Sequence, residues 1–142
     1  MMISTKGRYA LRVMIDLAEH PTEGYTPLKE IAERQHISEK YLESIIKLLV
    51  RGGLLRGLRG KGGGYRLGQS PEKCTVGSVL RLTEDGLAPV ACLNQKPNPC
   101  ARAAECRTLP MWTELERRIN EYLDSVTLAD LVVPEDGGNF VI

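Results

Sequence analysis

The sequence predicts a mostly α-helical protein (α+β class) with one short β-hairpin and a long helix near its C-terminal end. Apolar residues recur at three- and four-residue spacing in several segments, which is the periodicity of amphipathic helices. Eight of the fourteen glycines lie between positions 52 and 68, and short apolar stretches flank them as in a hairpin. The chain has 142 residues, 42% of them hydrophobic, which is the size and composition of one globular domain.

The first helix is predicted to run from about residue 7 to residue 19. Ser4 or Thr5 can cap its start, and Pro21 ends the helical pattern. Its apolar face is made of Tyr9, Val13, Met14 and Leu17.

Two further helices follow, joined by a short turn. The second is predicted to begin with Thr26 as its cap and Pro27 at its first position, and to stop near His36. Ser38 caps the third helix, which Gly52 ends. This pattern is typical of a helix-turn-helix, and the two helices alone also fit a generic helical hairpin. The polar residues near the start of the third helix are Ser38, Glu39, Lys40, Glu43 and Ser44.

The glycine-rich hairpin decides between these two interpretations. Short strands are predicted at 54–56 and 65–67, with Arg59 and Lys61 at the tip between them. A tip made largely of glycine can approach a phosphate backbone closely, and an arginine there suits the negative potential of a minor groove. The sequence therefore predicts a winged helix-turn-helix with a two-stranded wing that binds double-stranded DNA.

A nucleotide-binding loop is the competing interpretation of the glycines, and the residue order disfavours it. Glycine follows Gly60-Lys61 where a phosphate loop has Ser or Thr, and no glycine stands five places before Gly60. The dinucleotide fingerprint also fails, because these glycines lead into a strand and not into a helix.

The remainder of the chain is predicted to hold a connecting helix, a loop and a long helix. Thr75 can cap a helix that ends near Thr83, and Thr108 precedes a long helix that ends near Val126. Thr127 then caps a short terminal helix at 128–132. The apolar stripe of the long helix exceeds what a small domain can bury, so a second copy of the chain is its natural partner. That stripe contains Trp112, Leu115, Ile119, Tyr122, Leu123 and Val126.

These elements predict four parts of the chain. Residues 1–73 form a winged helix-turn-helix DNA-binding domain, and 74–107 a connecting helix with a cysteine-bearing loop. Residues 108–132 hold the dimerisation helix and a short terminal helix, and 133–142 a mobile tail. Charge supports the division: residues 1–73 carry 13 Lys/Arg against 8 Asp/Glu, whereas 74–142 carry 6 against 10. Only the basic part is suited to a polyanion.

Three cysteines lie within fifteen residues, in the pattern Cys92-x7-Cys100-x5-Cys106. The start of the chain has no apolar leader and no run approaches the roughly 18 residues of a membrane span, so we expect a cytoplasmic protein with reduced thiols. The spacing is too loose for paired zinc knuckles, and the intervening loop has little apolar bulk. Cysteines that bind a soft metal beside a DNA-binding domain are the arrangement expected of a sensor.

The chain resembles the IscR-type family of iron–sulfur cluster regulators over roughly residues 2–132. The resemblance is carried by the opening 4–10 (STKGRYA), the wing 59–67 (RGKGGGYRL), the three cysteines and the ending 126–132 (VTLADLV). It implies a homodimer with crossed long helices on a palindromic operator, and a [2Fe-2S] cluster held by Cys92, Cys100 and Cys106. It also implies DNA-binding roles for the recognition-helix positions and for the minor-groove arginine of the wing. These positions are Ser38, Glu39, Lys40, Tyr41, Glu43, Arg59 and Lys61.

One departure from the family concerns the fourth cluster ligand. The family has a histidine three residues after the third cysteine, and Leu109 stands there in this chain. The fourth ligand therefore stays open. The alternatives are Cys74, His20, His36, the carboxylates of Glu84, Asp85 and Glu105, or a small molecule.

The function predicted is a DNA-binding transcription regulator that senses iron–sulfur cluster or redox status. The first alternative is a cluster-free repressor of the same family that responds to thiol oxidation or to a partner protein. A metal-stabilised interaction module leaves the basic wing unexplained. An enzyme is disfavoured, because the chain has two histidines and no His-Glu-x-x-His motif or phosphate loop.

Overall fold

The computed structural model describes residues 2–133, so the predicted tail lies, apart from Val133, outside the described residues. The fold is mostly helical with one two-stranded antiparallel sheet, as predicted. No helix in this described part is long and apolar enough to cross a membrane. The elements are α1 (Thr5–Glu19), α2 (Leu28–Gln35), α3 (Glu39–Arg51), β1 (Leu55–Leu58), β2 (Gly64–Leu67), α4 (Val76–Thr83), α5 (Leu109–Ser125) and α6 (Leu128–Leu131).

Helix α1 is the centre of the fold and packs against α2, α3, α4 and α6. The Ser4 hydroxyl accepts a hydrogen bond from the Gly7 N–H at 3.0 Å, which satisfies one of the free donors at the helix start. Because Ser4 is the cap, α1 begins two residues earlier than position 7. Its buried face holds Ala10, Val13 and Met14, which are fully buried, and Leu17, which is 5% exposed.

A buried ionic network holds α2 against α1. The Asp16 carboxylate has no exposed side-chain surface, and Arg34 Nη2 donates to its Oδ1 at 2.7 Å. Gln35 Nε2 donates to the other oxygen at 2.8 Å. A buried carboxylate needs such partners because burial without them is costly. The network therefore fixes the first helix of the helix-turn-helix relative to the core.

The turn between α2 and α3 is formed by His36, whose φ is 55°, in the left-handed region. Ser38 caps α3 as predicted, since its side chain accepts from the Tyr41 N–H at 3.2 Å. The predicted cap of α2 is wrong. Pro27 occupies that position without a side-chain hydrogen bond, and the Thr26 backbone instead pairs with Tyr65 of the wing.

The wing is an antiparallel hairpin in which Leu55 is opposite Leu67 and Leu58 is opposite Gly64. Both strands extend one or two residues further towards the tip than predicted. Gly64 has φ 145°, and a Cβ there would lie 2.1 Å from the Thr26 carbonyl oxygen. Only glycine fits this close approach, which ties the tip-side end of β2 to the start of α2.

Helix α4 connects α5 to α1, and the start of α4 is capped by the Thr75 hydroxyl as predicted. Helix α4 packs against α1 on one side and α5 on the other. Arg81 joins Asp124 across the second contact at 2.7 Å. No residue of α5 itself is buried. Thr127 and Asp130 form a capping box that starts α6.

Candidate nucleic-acid interface and cysteine loop

The start of α3 presents the polar residues expected of a recognition helix. Glu39, Lys40 and Glu43 are exposed, and Ser38 is exposed while its hydroxyl caps the helix. Tyr41 is half-buried, so its position is set partly by packing. The opposite face holds Leu42, Ile45, Ile46 and Leu49, which are buried in the core.

An aromatic contact links the start of α3 to α1. The rings of Tyr9 and Tyr41 meet edge to face with 5.8 Å between centroids. The Arg12 guanidinium lies 4.9 Å from the Tyr9 ring centroid, and its Nε donates to the Gln35 side chain at 3.1 Å. The ring contact thus ties the start of α3 to α1, and Arg12 ties α1 to the end of α2. Helical spacing placed Tyr9 on the apolar face of α1 but gave no sign of its pairing with Tyr41.

Arg59 and Lys61 are both exposed in the turn between β1 and β2. Gly60 and Gly62 have φ 91° and 77°, values that strain any other residue. These two glycines shape the tip and leave its basic side chains in solvent. This is the arrangement expected of a wing that meets a phosphate backbone.

A cleft of about 600 Å³ separates α3 from the wing. It brings together Glu43 from α3 and Arg59 from the wing, two predicted site residues that are 16 positions apart in the sequence. The other predicted DNA-binding residues do not line this cleft. Lys47 and Arg51 also line it. They are not among the residues predicted from the sequence, although their four-residue spacing on α3 is a recognisable signal.

The three loop cysteines are free thiols between α4 and α5. Cys92 lies in a single 3-10 turn, Ala91–Asn94, and is half-buried; Cys100 is exposed. Cys106 is half-buried with its sulfur 3.5 Å from the Thr108 hydroxyl, and hydrogen bonding to Thr108 lowers the pKa of this thiol. Among residues 2–133, no three His, Cys, Asp or Glu side chains are close enough to hold a metal ion.

Three of the candidate fourth ligands, Cys74, His20 and Glu84, lie outside the loop that holds the three cysteines. Cys74 is fully buried in the core, and burial raises the pKa of its thiol. The ring of His20 lies 2.9 Å from a backbone carbonyl in α1, and the Glu84 carboxylate is hydrogen-bonded to Ser4. Leu109 is the first residue of α5. The thiols suit an iron–sulfur cluster by chemistry, but the described conformation does not assemble them into a site.

The helix-turn-helix, the basic glycine wing and the long terminal helix define a winged-helix DNA-binding transcription regulator. Residues 3–134 match the family model of Rrf2, described as an iron-dependent transcriptional regulator, and the chain belongs to this family. The predicted family resemblance and the regulator class are thereby confirmed, and the enzyme alternative is set aside.

Individual relatives agree with this assignment. The transcriptional regulator IscR of Aliivibrio salmonicida is 38% identical over 136 residues, which cover 96% of this chain and 80% of that protein. The structure of CymR, the global cysteine regulator of B. subtilis, has 40% sequence identity to this chain and a TM-score of 0.72. The match covers 92% of this chain and 95% of that chain. The structure of T. potens IscR has 39% sequence identity to this chain and a TM-score of 0.70. The match covers 92% of this chain and 85% of that chain.

Proposed function

We propose that this chain is a dimeric DNA-binding regulator that reports iron–sulfur or redox status through Cys92, Cys100 and Cys106. The observation that carries the proposal is the placement of these thiols. They lie at exposed or half-buried positions in one loop between α4, which packs on the DNA-binding half, and α5. A change in that loop therefore reaches the DNA-binding half through a direct helix contact.

Dimerisation is supported by the surface of α5. Met111, Leu115 and Tyr122 are 53%, 39% and 67% exposed, an unusual amount of apolar surface on one helix. Burial of this surface against the same helix of a second copy gives a twofold assembly. Two recognition helices related in this way meet half-sites about 34 Å apart on a palindromic operator.

In the proposed DNA complex, the exposed start of α3 enters a major groove and the wing tip lies at the neighbouring minor groove. Ser38, Glu39, Lys40 and Tyr41 lie at the start of α3, and Glu43 follows one turn later. A carboxylate accepts hydrogen bonds only, so Glu43 favours the cytosine N4 amino group. Arg59 and Lys61 contribute positive charge at the wing tip.

The cofactor in this proposal is a [2Fe-2S] cluster held by the thiolates of Cys92, Cys100 and Cys106, with a fourth ligand still open. When bound, such a cluster supplies a redox-sensitive group whose loss changes the order of the loop. The loop has no buried residue between positions 89 and 108, so little packing opposes the rearrangement that gathers the thiols. DNA and cluster occupancy should affect each other reciprocally.

Anaerobic reconstitution with iron and sulfide tests this proposal. We expect a coloured protein with iron and sulfide in equal amounts, and tighter retention in Leu109→His, which restores the family's ligand. The matched control is Thr113→His, which places the same ring at an exposed position one turn further along α5, away from the proposed dimer surface. Colourless, iron-free wild-type protein after reconstitution would contradict the cluster.

A thiol-oxidation sensor is the second candidate function, and it is favoured by Leu109, which stands where the family has a histidine ligand. In this case a peroxide oxidises two loop thiols to a disulfide, with loss of two protons and two electrons from the protein and reduction of the peroxide to water. Intact-mass measurement after peroxide treatment detects the loss of two hydrogens. Iron and sulfide analysis of the same protein separates this function from cluster sensing.

A further inference from the structure

Lys47 and Arg51 lie one turn apart on α3, and both side chains are exposed. Side chains four residues apart on a helix are stacked along one face. Both line the cleft between α3 and the wing, opposite Arg59. Three cations from two elements thus meet in one open cleft.

The charge of this cleft is not balanced from within. Its lining contains one carboxylate, Glu43, against Lys47, Arg51 and Arg59. None of the ion pairs found among residues 2–133 includes any of these three cations. Cations gathered without partners along a cleft are complementary to a chain of negative charges.

Apolar surface is interspersed with these charges. Val50 is 37% exposed and Leu58 is 48% exposed, and both line the cleft. Tyr65, which is half-buried, also lines the cleft, and a Cβ on Gly57 would come within 3.2 Å of its ring. A sugar–phosphate chain has the same alternation, since apolar deoxyribose faces separate the phosphates.

We propose that this cleft holds one strand of the sugar–phosphate backbone of duplex DNA, with Lys47 and Arg51 as phosphate contacts. The inference rests on the proposed DNA-binding function and adds two residues to it. Contacts to phosphate fix the position of the protein on the duplex and carry no sequence information. Lys47 and Arg51 therefore determine affinity, while the start of α3 and the wing tip determine which sites are preferred.

The test is the salt dependence of binding to short duplexes, measured by fluorescence anisotropy between 50 and 200 mM KCl, a range over which phosphate contacts dominate the change in affinity. We expect Lys47→Ala and Arg51→Ala each to reduce the slope of log affinity against log salt by about 0.9. Each should also weaken binding by the same factor on AT-rich and GC-rich duplexes. Lys73→Ala is the control, because Lys73 is an exposed cation that does not line the cleft between α3 and the wing.

Thermal melting of each variant confirms that it is folded before binding is compared. Unchanged slopes in both cleft variants, or an equal change in Lys73→Ala, overturn the inference while leaving DNA binding intact. A loss of affinity confined to one sequence also overturns it, because that is the signature of a base contact. Wild-type protein that binds no duplex overturns the proposed function together with this inference.

Discussion

The Glu84 carboxylate accepts two hydrogen bonds from Ser4, one from its N–H at 3.1 Å and one from its hydroxyl at 2.8 Å. Ser4 caps α1, and Glu84 directly follows α4 at the point where the cysteine loop begins. A Cβ on Gly7 would lie 2.1 Å from the same carboxylate, so this approach requires glycine. The contact joins the start of the predicted DNA-binding domain to the base of the cysteine loop.

Glu84→Ala should lower the free energy of unfolding by about 1–2 kcal/mol, because a charged acceptor at the start of α1 is lost. Chemical denaturation in urea measures this change. Asp85→Ala is the matched control, since the neighbouring carboxylate is exposed. Equal effects in the two variants would show that the contact with Ser4 contributes nothing specific.

The same contact makes a functional prediction for the sensor. If the cysteine loop acts on α1 through Glu84, alkylation of the loop thiols should change DNA affinity less in Glu84→Ala than in wild-type protein. Gel shifts before and after treatment with N-ethylmaleimide give this comparison. The link fails if alkylation changes the affinity of both proteins by the same factor.

Asp16→Ala should destabilise the fold by about 2–4 kcal/mol, because it leaves Arg34 and Gln35 without their buried acceptor. This loss is smaller than the roughly 3–5 kcal/mol usual for one partner of a fully buried ion pair, because the Arg34 side chain is 24% exposed. Thermal unfolding measures the effect. Glu30 is the other partner of Arg34 and lies exposed one helical turn away. Glu30→Ala should therefore lower the free energy of unfolding by less than about 0.5 kcal/mol.

Arg59→Ala should weaken DNA binding roughly tenfold, or about 1.4 kcal/mol, on duplexes with a narrow minor groove. The effect should shrink where the groove is wide, because the negative potential that attracts the arginine is weaker there. Anisotropy on A-tract and GC-rich duplexes provides the comparison. Binding that is unchanged on every duplex would remove Arg59 from the interface.

Replacement of apolar residues on α5 should separate the dimer without unfolding the protomer. Leu115→Arg combined with Tyr122→Arg places charge on surface that is already exposed in the single chain, so melting of the protomer should change little. Light scattering coupled to size exclusion should show half the wild-type mass. Thr113 lies on the opposite side of α5 by helical spacing, so Thr113→Arg should leave the mass of the assembly unchanged. A double variant that keeps the wild-type mass would contradict dimerisation through this face.

Local features of the sequence were sufficient to predict most elements. Ser38, Thr75 and Thr127 start helices because a side-chain oxygen can satisfy backbone donors two or three residues away. The glycines of the wing mark the hairpin because three of them, Gly60, Gly62 and Gly64, adopt positive backbone φ angles that other residues rarely adopt. Both signals act within a few residues, so they can be recognised without knowledge of the rest of the fold.

The contacts between distant segments depended on packing. Ser4 and Glu84 are 80 positions apart, and Glu43 and Arg59 meet only because the wing folds beside α3. Thr26 has the features of a helix cap, yet its backbone pairs with Tyr65. By itself the sequence determined the helices, the wing and the family, since periodicity and turn chemistry are local. The tertiary structure alone decided the cleft, the link to the cysteine loop and the separation of the thiols, because each depends on how whole elements pack.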